Sequence, residues 1–338
     1  MDDLILSNSG GGAVRHVGLD TLKAICAFLV VCIHAKTNLI IGEYISVIGR
    51  TAVPIFLMIT GYFYHSSSEA QKKFQIARIF RLYLITQSIY IVYEMLLAVV
   101  IPARKISDYL SWNRIALFFL ANETTPDSAH LWYLLALIYV LGFAYCFDRK
   151  IRSKVKYTIC ITLIIMSFML GIYSNAIFGV AMPELVTRNY LFVGFPYFVI
   201  GEYVFDNRKE IETVLKTHYK IIAMATVLLM GATLCEHLIV SRLWINFEGT
   251  IYITTPLLAT CIFVCFLFSD MQESIVSKIG KEYSSTIYVS HLMIYEVSSM
   301  VCNSLGLAPI FSIGAPIVVF ILALLYSSTW NKIKHCIV

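Results

Sequence analysis

Two ionisable residues, Lys23 and His34, lie in a stretch over residues 19–37 that is otherwise built mostly from apolar residues. In an α-helix their spacing comes to about three turns, so both side chains share one face and lie about 16 Å apart along the axis. Histidine is suited to proton transfer because it titrates near neutral pH. Structural roles are open as well: His34 bonded to a neighbouring carbonyl group, and Lys23 extended towards the end of the helix.

A second candidate is the pair Arg78 and Arg81, at the start of an apolar segment over residues 74–100. Residues three apart lie on one face of a helix. Two guanidinium groups so placed could bind a phosphate or diphosphate bidentately, because each presents a planar fork of donors. The alternative for this pair is ordinary anchoring of a membrane helix by basic residues on its cytoplasmic side.

Composition indicates a membrane protein. Of the 338 residues, 59% are hydrophobic and only 14% are charged, whereas a water-soluble chain of this length needs far more polar surface. An ionisable group within a membrane helix is costly unless it faces the protein interior or a wet cavity, so it is a functional candidate. The net charge of +5 is explained by membrane topology, and we expect no nucleic-acid partner.

Ten apolar segments are suited to crossing a bilayer, which needs about 20 residues of helix. The predicted spans are residues 20–40, 45–64, 74–100, 130–147, 154–173, 188–205, 219–240, 250–269, 284–304 and 309–327. We therefore predict an all-α integral membrane protein with one membrane domain over residues 20–327, between a flexible tail of residues 1–19 and a second tail of residues 328–338. A shorter apolar piece, residues 109–121, is predicted to be re-entrant or interfacial.

The distribution of basic residues predicts the orientation, because Lys and Arg accumulate in cytoplasmic loops. With residues 109–121 excluded as a span, 19 of the 26 Lys and Arg residues fall on one face of the membrane. Counting that piece as a span would place the later basic clusters opposite to Lys72 and Lys73. We therefore predict a multi-pass protein of the cell membrane with both termini in the cytoplasm. Lys23 is then near the cytoplasmic end of its helix, and His34 is in the outer half of the bilayer.

Glu94 and His291 are further candidates inside predicted spans. Glu94 lies mid-membrane, about 24 Å beyond Arg78, where it could orient His34 or pair with a buried donor. His291 lies in the inner third of the span over residues 284–304, where it could line a channel or make a structural hydrogen bond. No disulfide framework or metal site is expected, because the nine cysteines include no Cys-x-x-Cys pair and no two histidines share a helical spacing.

Five motifs together are similar to the signature of the membrane-bound acyltransferase-3 family. They are Lys23 and His34 with ten residues between them, Arg78 and Arg81 with two between them, "PIFLMITGYF" (54–63), "HLWYL" (130–134) and "IYVSH" (287–291). In that family the first motif usually has Arg in place of Lys, with Lys as a tolerated variant. The likeness runs over the whole chain in order, and the ten predicted spans agree with the family's core.

The resemblance implies transfer of an acyl group, often acetyl, from cytoplasmic acyl-CoA to a hydroxyl of an extracytoplasmic or lipid-linked glycan. The family's histidine maps onto His34, and its basic partner maps onto Lys23. Its arginine pair maps onto Arg78 and Arg81. The lipid bilayer, acyl-CoA and a glycan acceptor are therefore the expected partners.

Within this interpretation the candidate residues take distinct roles. His34 is the general base that raises the nucleophilicity of an acceptor hydroxyl, and Lys23 and Glu94 complete the catalytic candidates. The candidates for binding acyl-CoA are Arg78, Arg81 and His291. No metal is implied.

A transporter or binding module on the same fold is the alternative function. The membrane portion of vancomycin-resistance serine racemases also resembles this family and is thought to supply serine. Those proteins carry a soluble cytoplasmic enzyme after the last span, whereas this sequence ends at "NKIKHCIV". Continuation of the gene past Val338 would distinguish the two, and an acyltransferase is the leading hypothesis.

Overall fold

The computed structural model describes residues 15–100, 112–147, 151–243 and 251–337, and every regular element in these ranges is a helix. This confirms the predicted all-α class. The α-helices of the described residues are α1 (Val17–His34), α2 (Ile40–Gly49), α3 (Ala52–Ser66), α4 (Glu69–Val100), α5 (Trp112–Ala121), α6 (Trp132–Phe147), α7 (Ser153–Leu170), α8 (Ser174–Phe178), α9 (Phe195–Asp206), α10 (Arg208–Leu243), α11 (Thr255–Leu267), α12 (Ile275–Glu282), α13 (Ser284–Ser304) and α14 (Ala308–Ile337).

Three shorter helical turns join these helices. They are the 3₁₀ turns Pro126–Leu131 and Glu184–Val186, and the π-helical turn Tyr190–Gly194, which runs directly into α9. Most of the flexible tail predicted over residues 1–19 lies outside the described residues, as does the first part of the piece predicted over residues 109–121.

Seven described helical segments are long and apolar enough to cross a membrane. They are Val17–His34, Ile40–Ser66, Glu69–Val99, Ser128–Phe147, Ser153–Leu170, Arg208–Leu243 and Ala308–Lys332. Each overlaps one of the predicted spans. The other predicted spans, over residues 188–205, 250–269 and 284–304, also contain helices, but these are shorter or more polar. The chain has the helices of a multi-pass membrane protein.

The second apolar segment is broken, although the sequence predicted one span over residues 45–64. α2 ends at Gly49 before α3 begins, and the Thr51 hydroxyl donates to the carbonyl oxygen of Ile48 at 2.8 Å. A Cβ atom at position 49 would lie 3.2 Å from the carbonyl oxygen of Leu29 on α1. The tight turn and the glycine thus bring the end of α2 close to α1.

The connection between the predicted spans over residues 188–205 and 219–240 is helical. α10 begins at Arg208, and its backbone departs from helical angles at His218 (φ −121°, ψ 26°). The first part contains strong helix formers and an ion pair one turn apart, in which Lys216 Nζ lies 2.7 Å from Glu212 Oε1. The polar residues between these two predicted spans therefore belong to a largely exposed helix.

The chain divides into two compact units. The first comprises Met1–Phe56, Lys209–Leu234 and Leu257–Val338, and the second comprises Leu57–Arg208 and Cys235–Pro256. Each unit is therefore assembled from segments that are distant in sequence. Hydropathy alone predicted no such division.

α1 is the centre of the first unit, where it packs against α2, α12, α13 and α14. Its packing surface is built from small and branched residues. The buried cluster comprises Ala27, Val31, Ala35, Ile287, Ala315, Val319 and Ala323. At the start of α1, a Cβ atom on Gly280 of α12 would lie 1.7 Å from the carbonyl oxygen of Asp20. Small residues of this kind let helix backbones approach closely in membrane proteins.

α3 and α9 cross at short range in the second unit. Cβ atoms at Gly61 and Gly201 would lie 2.0 Å and 2.1 Å from backbone carbonyl oxygens of the facing helix, those of Phe198 and Met58. Only glycine fits at such a crossing. The glycine of the "PIFLMITGYF" motif is therefore explained by packing against α9.

Candidate functional site

His34 and His291 lie side by side in the first unit. His34 is the last residue of α1, and its ring lies 5.2 Å from the ring of His291 on α13, centroid to centroid, with 46° between the planes. His291 is fully buried and His34 is partly buried. The structure thus brings together two candidates that belong to separate motifs.

The relative depths predicted for these histidines were wrong. The sequence analysis placed His34 in the outer half of the bilayer and His291 in the inner third of its span, but two rings in contact share one level. The position of α12 explains why the predicted depths were wrong. This helix of 8 residues packs alongside the start of α1, where Gly280 lies against Asp20. α13 therefore begins part-way along α1, and His291 is level with the end of α1.

The tautomer of His291 follows from its backbone contact. Its Nδ1 atom lies 2.7 Å from the carbonyl oxygen of Tyr288, one turn earlier on α13. A carbonyl oxygen only accepts, so Nδ1 carries the proton in this bond, and Nε2 holds the lone pair of the neutral ring. This is the structural hydrogen bond that the sequence analysis left open for His291.

Fully buried apolar residues lie near the two histidines along α1 and α13. Val31 and Ala35 of α1 and Ile287 of α13 are fully buried, and they lie about one turn or less from His34 or His291 along their helices. Electrostatic and hydrogen-bond interactions are stronger in low-dielectric surroundings. A proton on either ring is therefore sensitive to the hydrogen bonding of the other.

Lys23 belongs to a cluster of charged residues at the start of α1. Its Nζ atom lies 3.2 Å from Asp20 Oδ1, and Arg15 Nε lies 3.1 Å from Asp20 Oδ2. Arg15 Nη1 lies 2.8 Å from Glu273 Oε1. The side chains of Asp20 and Lys23 are 8% and 22% exposed. Lys23 is thus held by a largely buried carboxylate.

The ion pairs of this cluster shift the pKa values of Arg15 and Glu273. Hydrogen bonding to Glu273 and to Asp20 raises the pKa of Arg15, and hydrogen bonding to Arg15 lowers the pKa of the Glu273 carboxyl. Asp20 also lies in the first turn of α1, where the helix dipole stabilises a negative charge. The sequence analysis missed Asp20, although its position three residues before Lys23 was a usable signal.

Arg78 and Arg81 lie on α4 in the second unit. The helix is continuous here, which confirms that the pair has helical spacing. Arg78 is partly buried and Arg81 is exposed. Lys72, on the same helix, holds its ammonium group 4.6 Å from the ring centroid of Tyr64. Basic side chains thus occupy the first half of α4, and their binding of phosphate stays a prediction.

Glu94 is buried on α4 and pairs with a hydroxyl donor. Thr125 Oγ1 donates to Glu94 Oε1 at 2.5 Å, and Gln87 Nε2 donates to the same hydroxyl oxygen at 3.2 Å. Ser128 extends the network at 2.6 Å from Thr125. Of the two roles left open for Glu94, the structure shows pairing with a donor, which is the partly buried hydroxyl of Thr125.

His130 of the "HLWYL" motif contacts the same helix. Its Nε2 atom lies 3.4 Å from the hydroxyl oxygen of Tyr90, and the rings meet edge to face with centroids 5.2 Å apart. Gln87, Tyr90 and Glu94 share one face of α4 because they are spaced by three and four residues. This face binds the turn that contains His130, so the motif has a packing role in the second unit.

A second charged cluster, which the sequence analysis did not select, lies on α3, α7 and α9. Lys156 Nζ lies 2.8 Å from Glu202 Oε2, and these side chains are 8% and 1% exposed. His65 bridges two acids, with Nδ1 3.5 Å from Glu202 Oε1 and Nε2 2.9 Å from Asp206 Oδ1. Lys156, one of the basic residues assigned to the inner face of the membrane, is thus a buried ion-pair partner.

Potential metal ligands are not gathered in the described part of the chain, where no three His, Cys, Asp or Glu side chains form a cluster suited to a metal ion. The acidic groups of the two charged clusters and of the α4 network contact Lys, Arg, His or Thr instead. The histidine pair and the basic residues of α4 are therefore the groups to consider for chemistry and for ligand binding.

Residues 16–328 match the sequence profile of the acyltransferase-3 family, described as an acyltransferase domain. The match covers nearly the whole chain and includes every candidate residue named above. The chain therefore belongs to this family and is a membrane acyltransferase, an enzyme that transfers acyl groups other than aminoacyl groups. No curated protein and no solved structure matches it significantly.

Proposed function

We propose that this enzyme transfers an acyl group, acetyl in the simplest case, from cytoplasmic acyl-CoA to a hydroxyl group of an extracytoplasmic or lipid-linked glycan. The proposal rests on the environment of His34. This partly buried imidazole lies at the end of an apolar helix and contacts a second histidine. Transfer to a hydroxyl group needs a positioned base, and histidine is the side chain most often used. Family membership supplies the reaction class.

His34 acts as the general base in this proposal. Its unprotonated ring nitrogen takes the proton of the acceptor hydroxyl while the hydroxyl oxygen attacks the carbonyl carbon of the thioester. The C–S bond then breaks, and the imidazolium returns the proton to the sulfur of CoA. The products are the ester of the acceptor and free CoA, so atoms and charges balance.

Arg78 and Arg81 bind the phosphate groups of acyl-CoA in this proposal. Guanidinium groups hold phosphate oxygens bidentately, and the helical spacing of the pair and the exposure of Arg81 support this role. Lys23 contributes a positive charge at the start of α1, where Asp20 fixes its ammonium group. Glu94 is given no proton-transfer step, because its carboxylate accepts from Thr125.

Ten membrane spans with both termini in the cytoplasm complete the proposal. α9, α11 and α13, together with the seven apolar segments, supply a helix for each predicted span, and α5 is the interfacial helix. The bias of basic residues supports the orientation. When the buried Lys156 is left out, 18 basic residues remain on the inner face against 7 on the outer face.

The direct test is a transfer assay with purified protein in liposomes. Acetyl-labelled acetyl-CoA is supplied with candidate lipid-linked glycans, and serine uptake is measured in parallel. We expect label in a base-labile ester of the glycan, with release of one CoA per ester formed. Serine uptake without transfer to any hydroxyl acceptor would instead support the transporter or binding-module alternative.

A further inference from the structure

We infer that His65 is a pH-sensitive latch between the last turns of α3 and α9: its charged ring holds the two helix ends together, and its neutral ring does not. His65 lies one turn after Gly61, where the two helices cross. Its Nε2 atom lies 2.9 Å from Asp206 Oδ1, and its Nδ1 atom lies 3.5 Å from Glu202 Oε1. One side chain of α3 thus contacts two acidic side chains of α9.

Both ring nitrogens of His65 face oxygen atoms that only accept. An ionised carboxylate has no hydrogen to donate, and a neutral imidazole carries a hydrogen on one nitrogen only. A neutral ring would therefore turn a lone pair towards one of the two carboxylates, whereas an imidazolium presents an N–H group to each. The shorter contact has the length of a hydrogen bond, and the longer one is within the range of an ion pair. The geometry is that of an imidazolium.

The charges of the cluster balance when the ring of His65 is protonated. Lys156 Nζ lies 2.8 Å from Glu202 Oε2, so one ammonium group accompanies two carboxylates. The hydroxyl of Tyr157, on α7, donates to Asp206 Oδ2 at 3.2 Å and adds no charge. The imidazolium of His65 is then the second cation. Carboxylates in a protein interior need such partners, because their ionised form is costly without them.

The neighbouring basic residues contact other groups. Arg208, which begins α10, donates from Nη1 to the carbonyl oxygen of Phe205 at 2.8 Å, and its guanidinium group lies 4.3 Å from the centroid of the Phe205 ring. The ammonium group of Lys72, on α4, lies 4.6 Å from the ring centroid of Tyr64. His65 is thus the cation that contacts both carboxylates of α9.

Loss of one proton from His65 replaces an attraction by a repulsion. The shorter contact keeps its hydrogen, so Nε2 still donates to Asp206, and Nδ1 presents a lone pair to Glu202. The side chain of Glu202 is 1% exposed and bound to Lys156, so the ring of His65 is the group that moves away. Histidine changes its charge near neutral pH, and the latch therefore opens as the pH rises. In the proposed topology this end of α3 faces the cytoplasm.

Thermal unfolding in detergent at two pH values tests the latch. The charged ring stabilises the folded protein at low pH, and this contribution is lost when His65 releases its proton. At about pH 6 we expect Tm of His65→Gln to lie about 2–4 °C below that of the wild type. The difference should disappear near about pH 9, because the amide is neutral at both values.

Two further variants complete the Tm measurement. Asp206→Asn removes one of the carboxylates that favour the imidazolium, so it should reduce the dependence of Tm on pH in the same direction. It keeps the test decisive if His65→Gln does not fold. His218→Gln replaces an exposed histidine of α10 and is the control, which should follow the wild type at both pH values.

Ring-¹⁵N NMR separates the latch from simple packing, and neither measurement depends on acyl transfer. The His65 resonances are identified by their absence in His65→Gln. At about pH 6 we expect hydrogen on both ring nitrogens of His65 in the wild type, and a larger neutral fraction in Asp206→Asn. A neutral His65 ring at that pH, or Tm differences from the wild type that are the same at both pH values in His65→Gln and Asp206→Asn, would overturn the inference.

Discussion

The carboxylate of Asp20 binds the ammonium group of Lys23 at 3.2 Å, one turn away on α1. The same carboxylate accepts from Arg15 at 3.1 Å. Asp20 therefore fixes two cations at the end of α1 opposite to His34. The basic residue of the first motif is held in place by an acid that the family resemblance did not point to.

Replacing Asp20 by Asn is expected to destabilise the protein. The amide keeps the shape of the side chain but removes the negative charge that two cations share. Hydrogen bonds to charged groups contribute about 1.5–3 kcal/mol, and solvent screening of the partly exposed partners reduces the expected loss to about 1–2 kcal/mol. The measurement is Tm in detergent. Glu273→Gln is the control, because Glu273 is exposed. An equal fall in Tm in the two variants would contradict the stabilising role given to Asp20.

The buried pair of Lys156 and Glu202 gives a second stability prediction. Glu202→Leu should lower the free energy of unfolding by about 3–5 kcal/mol, because it leaves a buried ammonium group without this carboxylate. Adding Lys156→Met should restore much of the loss, since an apolar pair replaces the ion pair. Thermal unfolding of the single and double variants measures this. Lys216→Ala, in an exposed pair, should leave Tm nearly unchanged, and a double variant no more stable than the single one would refute the prediction.

The proposed orientation can be tested by labelling two valines of equal exposure. Val180 and Val214 are 56% and 54% exposed, and the topology places them on opposite faces of the membrane. In a variant without native cysteines, Val180→Cys should react with an impermeant maleimide added to intact cells. Val214→Cys should react only after permeabilisation. The opposite labelling pattern would reverse the orientation, and with it the side from which acyl-CoA binds.

Removing both guanidinium groups of α4 is expected to weaken acyl-CoA binding. At about 1.5–3 kcal/mol for each charge-assisted contact, Arg78→Ala with Arg81→Ala should raise Kd by two or more orders of magnitude, at about 1.4 kcal/mol per factor of ten. Arg81→Lys should lose only part of the affinity for acyl-CoA, because Lys lacks the bidentate fork of donors. Lys73→Ala, on the same helix, is the control. A Kd that does not change in the double variant would leave the pair as a membrane anchor.

Features that depend on local sequence were predictable. Apolar runs of about 20 residues predict membrane helices because backbone groups in a bilayer must bond within the segment. The spacing of Arg78 and Arg81 is likewise local, and α4 confirms it. The break after Gly49 was missed, because it depends on the packing of α2 against Leu29 of α1.

Contacts between helices could not be predicted from one sequence. The level of His291 depends on how α12 packs along α1 at Gly280, and hydropathy contains no such information. The burial of Lys156 was missed because counting charges by loop ignores their partners. Glu94 was recognised as a buried acid, but its donor, Thr125, lies 31 residues further along the chain, and no local pattern predicts a contact over that distance.

The turnover of purified His34→Ala tests the central claim most directly. The measurement is kcat for acyl transfer, expressed per acyl-CoA binding site and compared with the wild-type enzyme. Because His34 acts in the chemical step, we predict that the variant inserts, stays monodisperse in detergent and binds acyl-CoA with unchanged affinity. Its kcat should fall by at least about 10². A folded variant with wild-type kcat, or an aggregating one whose surviving fraction is fully active, would contradict the assignment of His34 as the base.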